Sequence, residues 1–63
     1  MTSVQYRQAI AKLGMSQVRA GEFLIGNPRT SRRWASGESP VPQSVALLLR
    51  LMIEHGINPE DVT

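Results

Sequence analysis

The sequence predicts an all-α domain of four to five short helices. Apolar residues recur at three- and four-residue spacings along successive segments, and no segment alternates apolar and polar side chains as a half-buried strand would. Glycine, proline and asparagine interrupt this pattern at short intervals, as the turns between short helices require. The 63 residues suffice for one domain, which we assign to residues 1–63. A chain of this size buries only about 60% of the surface that its unfolded form exposes.

Two helices are predicted in the first half of the chain. The first covers residues 3–13, with Ser3 able to cap its N-terminus and Gly14 ending it. The second covers residues 16–25, with Ser16 as its N-cap. Gly21 in mid-helix costs about 1 kcal/mol against alanine, and such a glycine often marks the close approach of another helix. The apolar face of the first helix is formed by Tyr6, Ala9, Ile10 and Leu13.

The third predicted helix, residues 28–36, has the clearest boundaries. The Asn27 side chain can accept a hydrogen bond from a backbone N–H of the first turn. Pro28 falls at the first helical position, where its missing N–H costs nothing. Gly37 can end the helix in the left-handed conformation without strain. One face carries Arg29, Arg32, Arg33 and Ser36, and the opposite side carries Ser31 and Trp34, of which Trp34 is expected in the core.

The fourth predicted helix, residues 43–55, follows a stiff proline-containing connector at residues 38–42, and Pro42 can open it. A helix that is apolar over most of its circumference is buried on more than one side. We therefore expect the domain core on one side of it and a second chain on the other. Gly56 ends this helix. The pair Asn58 and Pro59 then predicts one last short turn. The predicted apolar stripe is Val45, Leu48, Leu49 and Met52, widened by Leu47, Leu51 and Ile53.

Composition excludes several classes of site. The chain has no cysteine, which excludes disulfides and thiolate metal sites, and His55 is its only histidine. We expect no metal and no cofactor. A single histidine and no paired carboxylates offer little to a catalytic site, so we expect no enzyme. No apolar run approaches the roughly 20 residues that cross a bilayer, and residues 1–7 lack a secretory h-region, so we expect a cytoplasmic protein without a membrane partner.

The charges are unevenly distributed although the net charge is only +2. Arg29, Arg32 and Arg33 lie on one short helix, whereas three of the five acidic residues lie in residues 54–61. A solvated helix face would gain nothing from like charges on neighbouring turns, because they repel. Arginine pairs well with phosphate and with the edges of bases, so this face favours a polyanionic partner.

The residues also resemble a known family. Gln17, Gly21, Leu24 and the run Asn-Pro-Arg-Thr-x-Arg-Arg-Trp-x-x-Gly-Glu are similar to the helix-turn-helix proteins of the lambda-repressor-like (Xre) superfamily. The resemblance covers residues 4–53. It extends to small phage or anti-CRISPR-associated repressors and to the DNA-binding domains of some antitoxins.

The resemblance implies a DNA-binding surface. In the family, the residue matching Gln17 opens the second helix and touches the DNA backbone, and the third helix faces the major groove. Because early residues of such a helix reach base edges deepest, Arg29 is the first choice for reading a base and Arg33 the second. The candidate DNA-binding residues are Ser16, Gln17, Asn27, Pro28, Arg29, Thr30, Arg32, Arg33 and Ser36.

Two positions depart from the family pattern. The family usually has glycine and then an aliphatic residue at the turn, where this chain has Ile25 and then Gly26. It usually has valine or isoleucine where Ser31 stands. We expect Ile25 and Trp34 to fill the core space that the serine leaves.

The expected function is sequence-specific binding of double-stranded DNA by a transcriptional regulator, more specifically a repressor. A small helix-turn-helix protein gains affinity by binding a palindromic operator as a homodimer. The alternative is an antitoxin or another interaction module that binds a protein partner, such as a toxin, through the apolar helix 43–55. The candidate dimer-interface residues are Val45, Leu47, Leu51 and Met52.

Overall fold

A computed structural model describes residues 1–62 and confirms the predicted all-α class. Within these residues the chain forms five helices and no strand. In the same range, no helix is both long enough and apolar enough to cross a membrane. The helices are α1 (Ser3–Lys12), α2 (Gln17–Ile25), α3 (Pro28–Ser36), α4 (Gln43–Glu54) and α5 (Pro59–Val62).

Hydrogen bonds between nearby side chains and backbone N–H groups determine where the helices begin. The hydroxyl of Ser16 accepts a hydrogen bond from the backbone N–H of Arg19 at 3.1 Å, which confirms the predicted cap of α2. The prediction for α1 was wrong by one residue. Thr2, not Ser3, is the cap, because its hydroxyl accepts from the N–H of Gln5 while the Gln5 side chain accepts from the N–H of Thr2.

The predicted boundaries of α3 and the predicted start of α5 are also confirmed. Asn27 Oδ1 accepts from the N–H of Arg29 at 3.0 Å, and Asn58 Oδ1 accepts from the N–H of Glu60 at 3.0 Å. Gly37 ends α3 with a φ of 87°, a left-handed conformation that glycine adopts without strain. Helix α4 begins one residue after Pro42 and ends at Glu54, one residue earlier than predicted.

Helices α2 and α3 cross at Gly21, as its position in mid-helix predicted. A Cβ atom on Gly21 would lie 2.5 Å from Pro28 Cα and 2.6 Å from the carbonyl oxygen of Asn27. The backbone N–H of Asn27 donates to the Gly21 carbonyl oxygen at 3.1 Å. The start of α3 is therefore held directly against the middle of α2, and the packing between these two helices is the most extensive in the domain.

The core lies between α1 and the other three long helices. Helix α1 contacts α2, α3 and α4, and buries Tyr6, Ala9 and Ile10 as predicted, with Leu13 partly buried. Trp34 is buried, which confirms its predicted place in the core. The remaining buried apolar residues are Met15, Ala20, Ala35, Val41, Val45, Ala46, Leu49 and Met52.

Two core predictions were wrong. Leu48 is exposed on α4, and Ala46 takes a core position that the predicted stripe left out. Ile25 is 45% exposed at the end of α2, so it does not fill the space beside Ser31.

Candidate nucleic-acid interface

The outer face of α3 carries the basic side chains. Arg29, Arg32, Arg33 and Ser36 are all exposed, at the i, i+3, i+4 and i+7 positions that place them on one side of the helix. Asn27 is exposed at the cap, whereas Pro28 and Thr30 are half-buried. Five of the predicted site residues at positions 27–36 are therefore exposed, and two are only partly exposed.

The three guanidinium groups on this face are not neutralised by any of the described residues. In the part of the chain that the structure describes, none of them forms an ion pair with a carboxylate. Each guanidinium presents a planar set of N–H donors, and three such groups on little more than one turn of helix repel one another. The face is therefore poised to gain free energy when an anion approaches.

Two of the candidate residues already serve the helix. The Ser36 hydroxyl donates to the carbonyl oxygen of Arg33 at 3.2 Å, so its proton is used locally while its oxygen can still accept. The side-chain oxygen of Asn27 caps α3, which leaves its NH₂ group as the free donor. Both residues could therefore contact a ligand only through the hydrogen-bonding groups that the helix leaves free.

Ser16 and Gln17 extend the surface at the start of α2. Both are exposed, and Gln17 is the first residue of the helix, where backbone N–H groups favour an anion. Arg19, an exposed residue of the same first turn, was missing from the predicted set. Its signal in the sequence was a basic side chain one turn after the Ser16 cap. Arg19 and Glu60 line the same surface depression, so the lining of this depression also includes a carboxylate.

The inner face of α3 is fixed by α1. The Tyr6 ring meets Trp34 edge to face, with ring centroids 5.6 Å apart and planes inclined at 83°. The Tyr6 and Ser31 hydroxyls share a buried hydrogen bond of 2.5 Å, and the Arg7 guanidinium donates to the carbonyl oxygen of Ala35 at 2.7 Å. Burial raises the pKa of Tyr6, and the hydrogen bond from Ser31 opposes this rise.

The Tyr6 hydroxyl accounts for the serine at position 31. Ser31 is completely buried, and its polar group is satisfied by the tyrosine rather than covered by Ile25. A buried hydroxyl without a partner would cost about 1–3 kcal/mol, so the two hydroxyls depend on each other.

The candidate interface residues of α4 fall into two groups. Leu47 and Leu51 are each 50% exposed and, with the exposed Leu48, form an apolar surface on the outside of α4. Val45 and Met52 are only 9% and 3% exposed. They pack inside the domain and present almost no surface to a second chain.

Within residues 1–62 no group of three or more His, Asp or Glu side chains is placed to hold a metal ion. One surface depression lies where α1 and α4 end, lined by residues such as Leu13, Ile53 and Ile57, and no α3 residue borders it.

Comparison of the chain with protein-family models, with curated proteins and with solved structures finds no match.

Proposed function

We propose that this chain is a sequence-specific DNA-binding transcriptional regulator of the lambda-repressor-like helix-turn-helix class. In this proposal α2 and α3 are the helix-turn-helix, and α3 lies in the major groove of duplex DNA. The observation that carries it is the outer face of α3, where Arg29, Arg32 and Arg33 are exposed and have no ion-pair partner among the described residues. The opposite side of the helix buries Ser31, Trp34 and Ala35.

Two properties of duplex DNA match this face. Arginine neutralises phosphates and releases their counterions, which supplies affinity for any sequence. Arginine also pairs bidentately with guanine O6 and N7, and each such pair is worth about 1–3 kcal/mol of discrimination against a wrong base. We assign Arg29 first and Arg33 second to base edges, and Gln17 at the start of α2 to a phosphate.

We further propose that the regulator is a homodimer on a palindromic operator and acts as a repressor by occupying a promoter. The apolar surface of Leu47, Leu48 and Leu51 is the candidate interface. The domain measures 29 × 19 × 18 Å. Two bodies of this size, joined along one face, can hold their α3 helices about 34 Å apart, the distance between half-sites one DNA turn apart.

Selection of bound duplexes from a random pool tests the sequence-specific part of the proposal. The expected result is an enriched palindromic sequence, and a pool that shows no enrichment after several rounds would contradict it. Titration of the selected duplex at several salt concentrations then tests the electrostatic part. If all three arginines of both subunits neutralised phosphates, the logarithm of affinity would fall with the logarithm of salt with a slope of about −5.

A protein-interaction module is the second candidate function, and the exposed leucines of α4 favour it. An antitoxin that binds a toxin through this surface is one example. The two functions differ in their response to DNA. Absence of binding to duplex DNA at low salt would favour the interaction module, and steeply salt-dependent binding would favour the regulator.

A further inference from the structure

Two consecutive residues of α1 hold α3 at three points. Tyr6 contacts Ser31 through its hydroxyl and Trp34 through its ring, and Arg7 reaches the carbonyl oxygen of Ala35. These contacts join residues that lie 25 to 28 positions apart in the chain. Neither Tyr6 nor Ser31 has any exposed surface, so neither can touch a ligand itself.

The hydroxyl pair lies behind the basic face. One residue of an α-helix turns by about 100°, so Ser31 points about 160° away from both Arg29 and Arg33. Any rotation of α3 that displaces Ser31 therefore moves both guanidinium groups in the opposite sense. The hydrogen bond of 2.5 Å between the two hydroxyls opposes such a rotation.

Helix α2 closes the other side of Ser31. The Ser31 Cβ lies 2.9 Å from the position that a Cβ on Gly21 would occupy, so the serine sits against the backbone of α2. Alanine would fit at position 31, but the Tyr6 hydroxyl would lose its only hydrogen-bond partner among the described residues.

We propose that the Tyr6–Ser31 hydroxyl pair is a positioning device that sets the rotation of α3, and through it the discrimination between DNA sequences. This inference rests on the proposed function, because it concerns how the same face reads bases. The pair contributes to specificity rather than to general affinity, since phosphate neutralisation depends on the arginine charges and base pairing depends on their orientation.

The test measures binding of the selected duplex and of a scrambled duplex of equal length to four proteins. These are the unchanged chain, Tyr6→Phe, Ser31→Ala and the double variant. In each of the three variants, affinity for the selected duplex should fall about fivefold or more relative to the unchanged chain. This is the loss expected from one bidentate arginine–guanine pair. Affinity for the scrambled duplex should stay within about twofold, because the charges are unchanged. Ser44→Ala, which removes an exposed hydroxyl on α4, is the matched control and should leave both affinities unchanged.

Thermal unfolding of the same proteins separates positioning from simple stability. Ser31→Ala leaves the Tyr6 hydroxyl buried without a partner, whereas the double variant removes both polar groups and should unfold at a higher temperature than Ser31→Ala. Specificity should nevertheless stay low in the double variant, because the device is absent. If Ser31→Ala fails to fold, Tyr6→Phe alone tests the inference. In that variant the Ser31 hydroxyl can turn to the carbonyl of residue 27, so no buried hydroxyl is left without a partner.

Two results would overturn the inference and leave the proposed function standing. One is that the variants discriminate between the duplexes as well as the unchanged chain does. The other is that specificity returns in the double variant together with stability, which would make the pair merely structural. If the unchanged chain itself binds both duplexes equally, the proposed function fails, and the inference fails with it.

Discussion

Gly21 determines how closely α2 and α3 approach, and it does so through the absence of a side chain. Its backbone is helical, so alanine would improve the helix propensity by about 1 kcal/mol. However, the added Cβ would lie 2.5 Å from Pro28 Cα and 2.6 Å from the Asn27 carbonyl, and neither backbone atom can move without displacing α3. The steric term should therefore outweigh the gain in propensity.

We expect Gly21→Ala to lower the free energy of unfolding by about 1–3 kcal/mol, the usual cost of forcing an extra methyl group into a packed site. Chemical denaturation followed by circular dichroism measures this change. Glu22→Ala is the matched control, because it places alanine at the next, exposed position of the same helix and should change stability by no more than about 0.5 kcal/mol. Equal stability of the two variants would contradict the close approach at Gly21.

Tyr6 makes stability depend on pH above the ordinary range of a phenol. Burial raises the pKa of Tyr6 in the folded chain above the ordinary tyrosine value of 10.0 that the unfolded chain is expected to keep. The unfolded state therefore loses its proton first. The stabilisation is complete below about pH 10 and is lost as pH rises through the raised pKa of the folded state.

Tyr6 is the only tyrosine of the chain, so its ionisation can be followed directly by tyrosinate absorbance. We expect the absorbance of the folded chain to titrate above the value of a model peptide. We also expect the free energy of unfolding to fall less steeply above pH 10 in Tyr6→Phe than in the unchanged chain. A pKa for Tyr6 equal to that of tyrosine in a short peptide would contradict the burial of its hydroxyl.

At the scale of elements, the proposed function assigns base reading to α3 and contact with the DNA backbone to the start of α2. Arg29→Ala should cost about 1–3 kcal/mol per half-site and relax the preference at one base pair, if Arg29 pairs with a guanine. Gln17→Ala should weaken binding to all sequences about equally, because a phosphate contact carries no sequence information. Titrations of each variant against the selected and scrambled duplexes measure both effects.

The salt dependence provides an independent check on the same variants. Glutamine neutralises no charge, so Gln17→Ala should leave the salt slope almost unchanged, whereas each arginine that neutralises a phosphate should lower it by about 1 when removed. If Arg29→Ala weakens both duplexes by the same factor, its assignment to a base is wrong.

The starts of α2, α3 and α5 could be predicted because each depends on residues within three positions of one another. Asn27 with Arg29 and Ser16 with Arg19 are examples. The start of α1 was misassigned to Ser3 although the pair Thr2 and Gln5 has the spacing of a capping box. Two adjacent hydroxyl residues can each cap a helix, and here the glutamine three residues on favours Thr2.

The inner side of the site could not be predicted, because it depends on contacts between distant parts of the chain. Nothing near Ser31 in the sequence points to Tyr6, which lies 25 residues earlier. Helix α4 presented a different difficulty. Leucine occupies so many of its positions that periodicity did not distinguish Leu49, which is buried, from Leu48, which is exposed.

At the scale of the whole molecule, the domain has two surfaces that its own packing does not explain. One is the basic face of α3, and the other is the apolar surface of Leu47, Leu48 and Leu51 on α4. Helix α4 packs chiefly against α1, which leaves this side of it uncovered. A homodimer would bury the apolar surface and bring two basic faces to one DNA duplex, which joins both surfaces in one function.

We therefore expect the chain to sediment as a dimer, and Leu51→Glu to sediment as a monomer. Leu51 is 50% exposed, so the substitution should change the stability of the single domain little, whereas two buried glutamates facing each other across a two-fold axis would oppose association. Val4→Glu is the matched control, because Val4 is 49% exposed on α1, outside the leucine surface, and should leave the dimer intact. Circular dichroism of both variants verifies that the helices persist.

The monomeric variant should also bind the palindromic duplex more weakly than the unchanged chain, with an affinity close to that for a single half-site. A monomer for the unchanged chain, both free and on DNA, would refute the dimer, and dimers of Leu51→Glu would place the interface elsewhere on the domain.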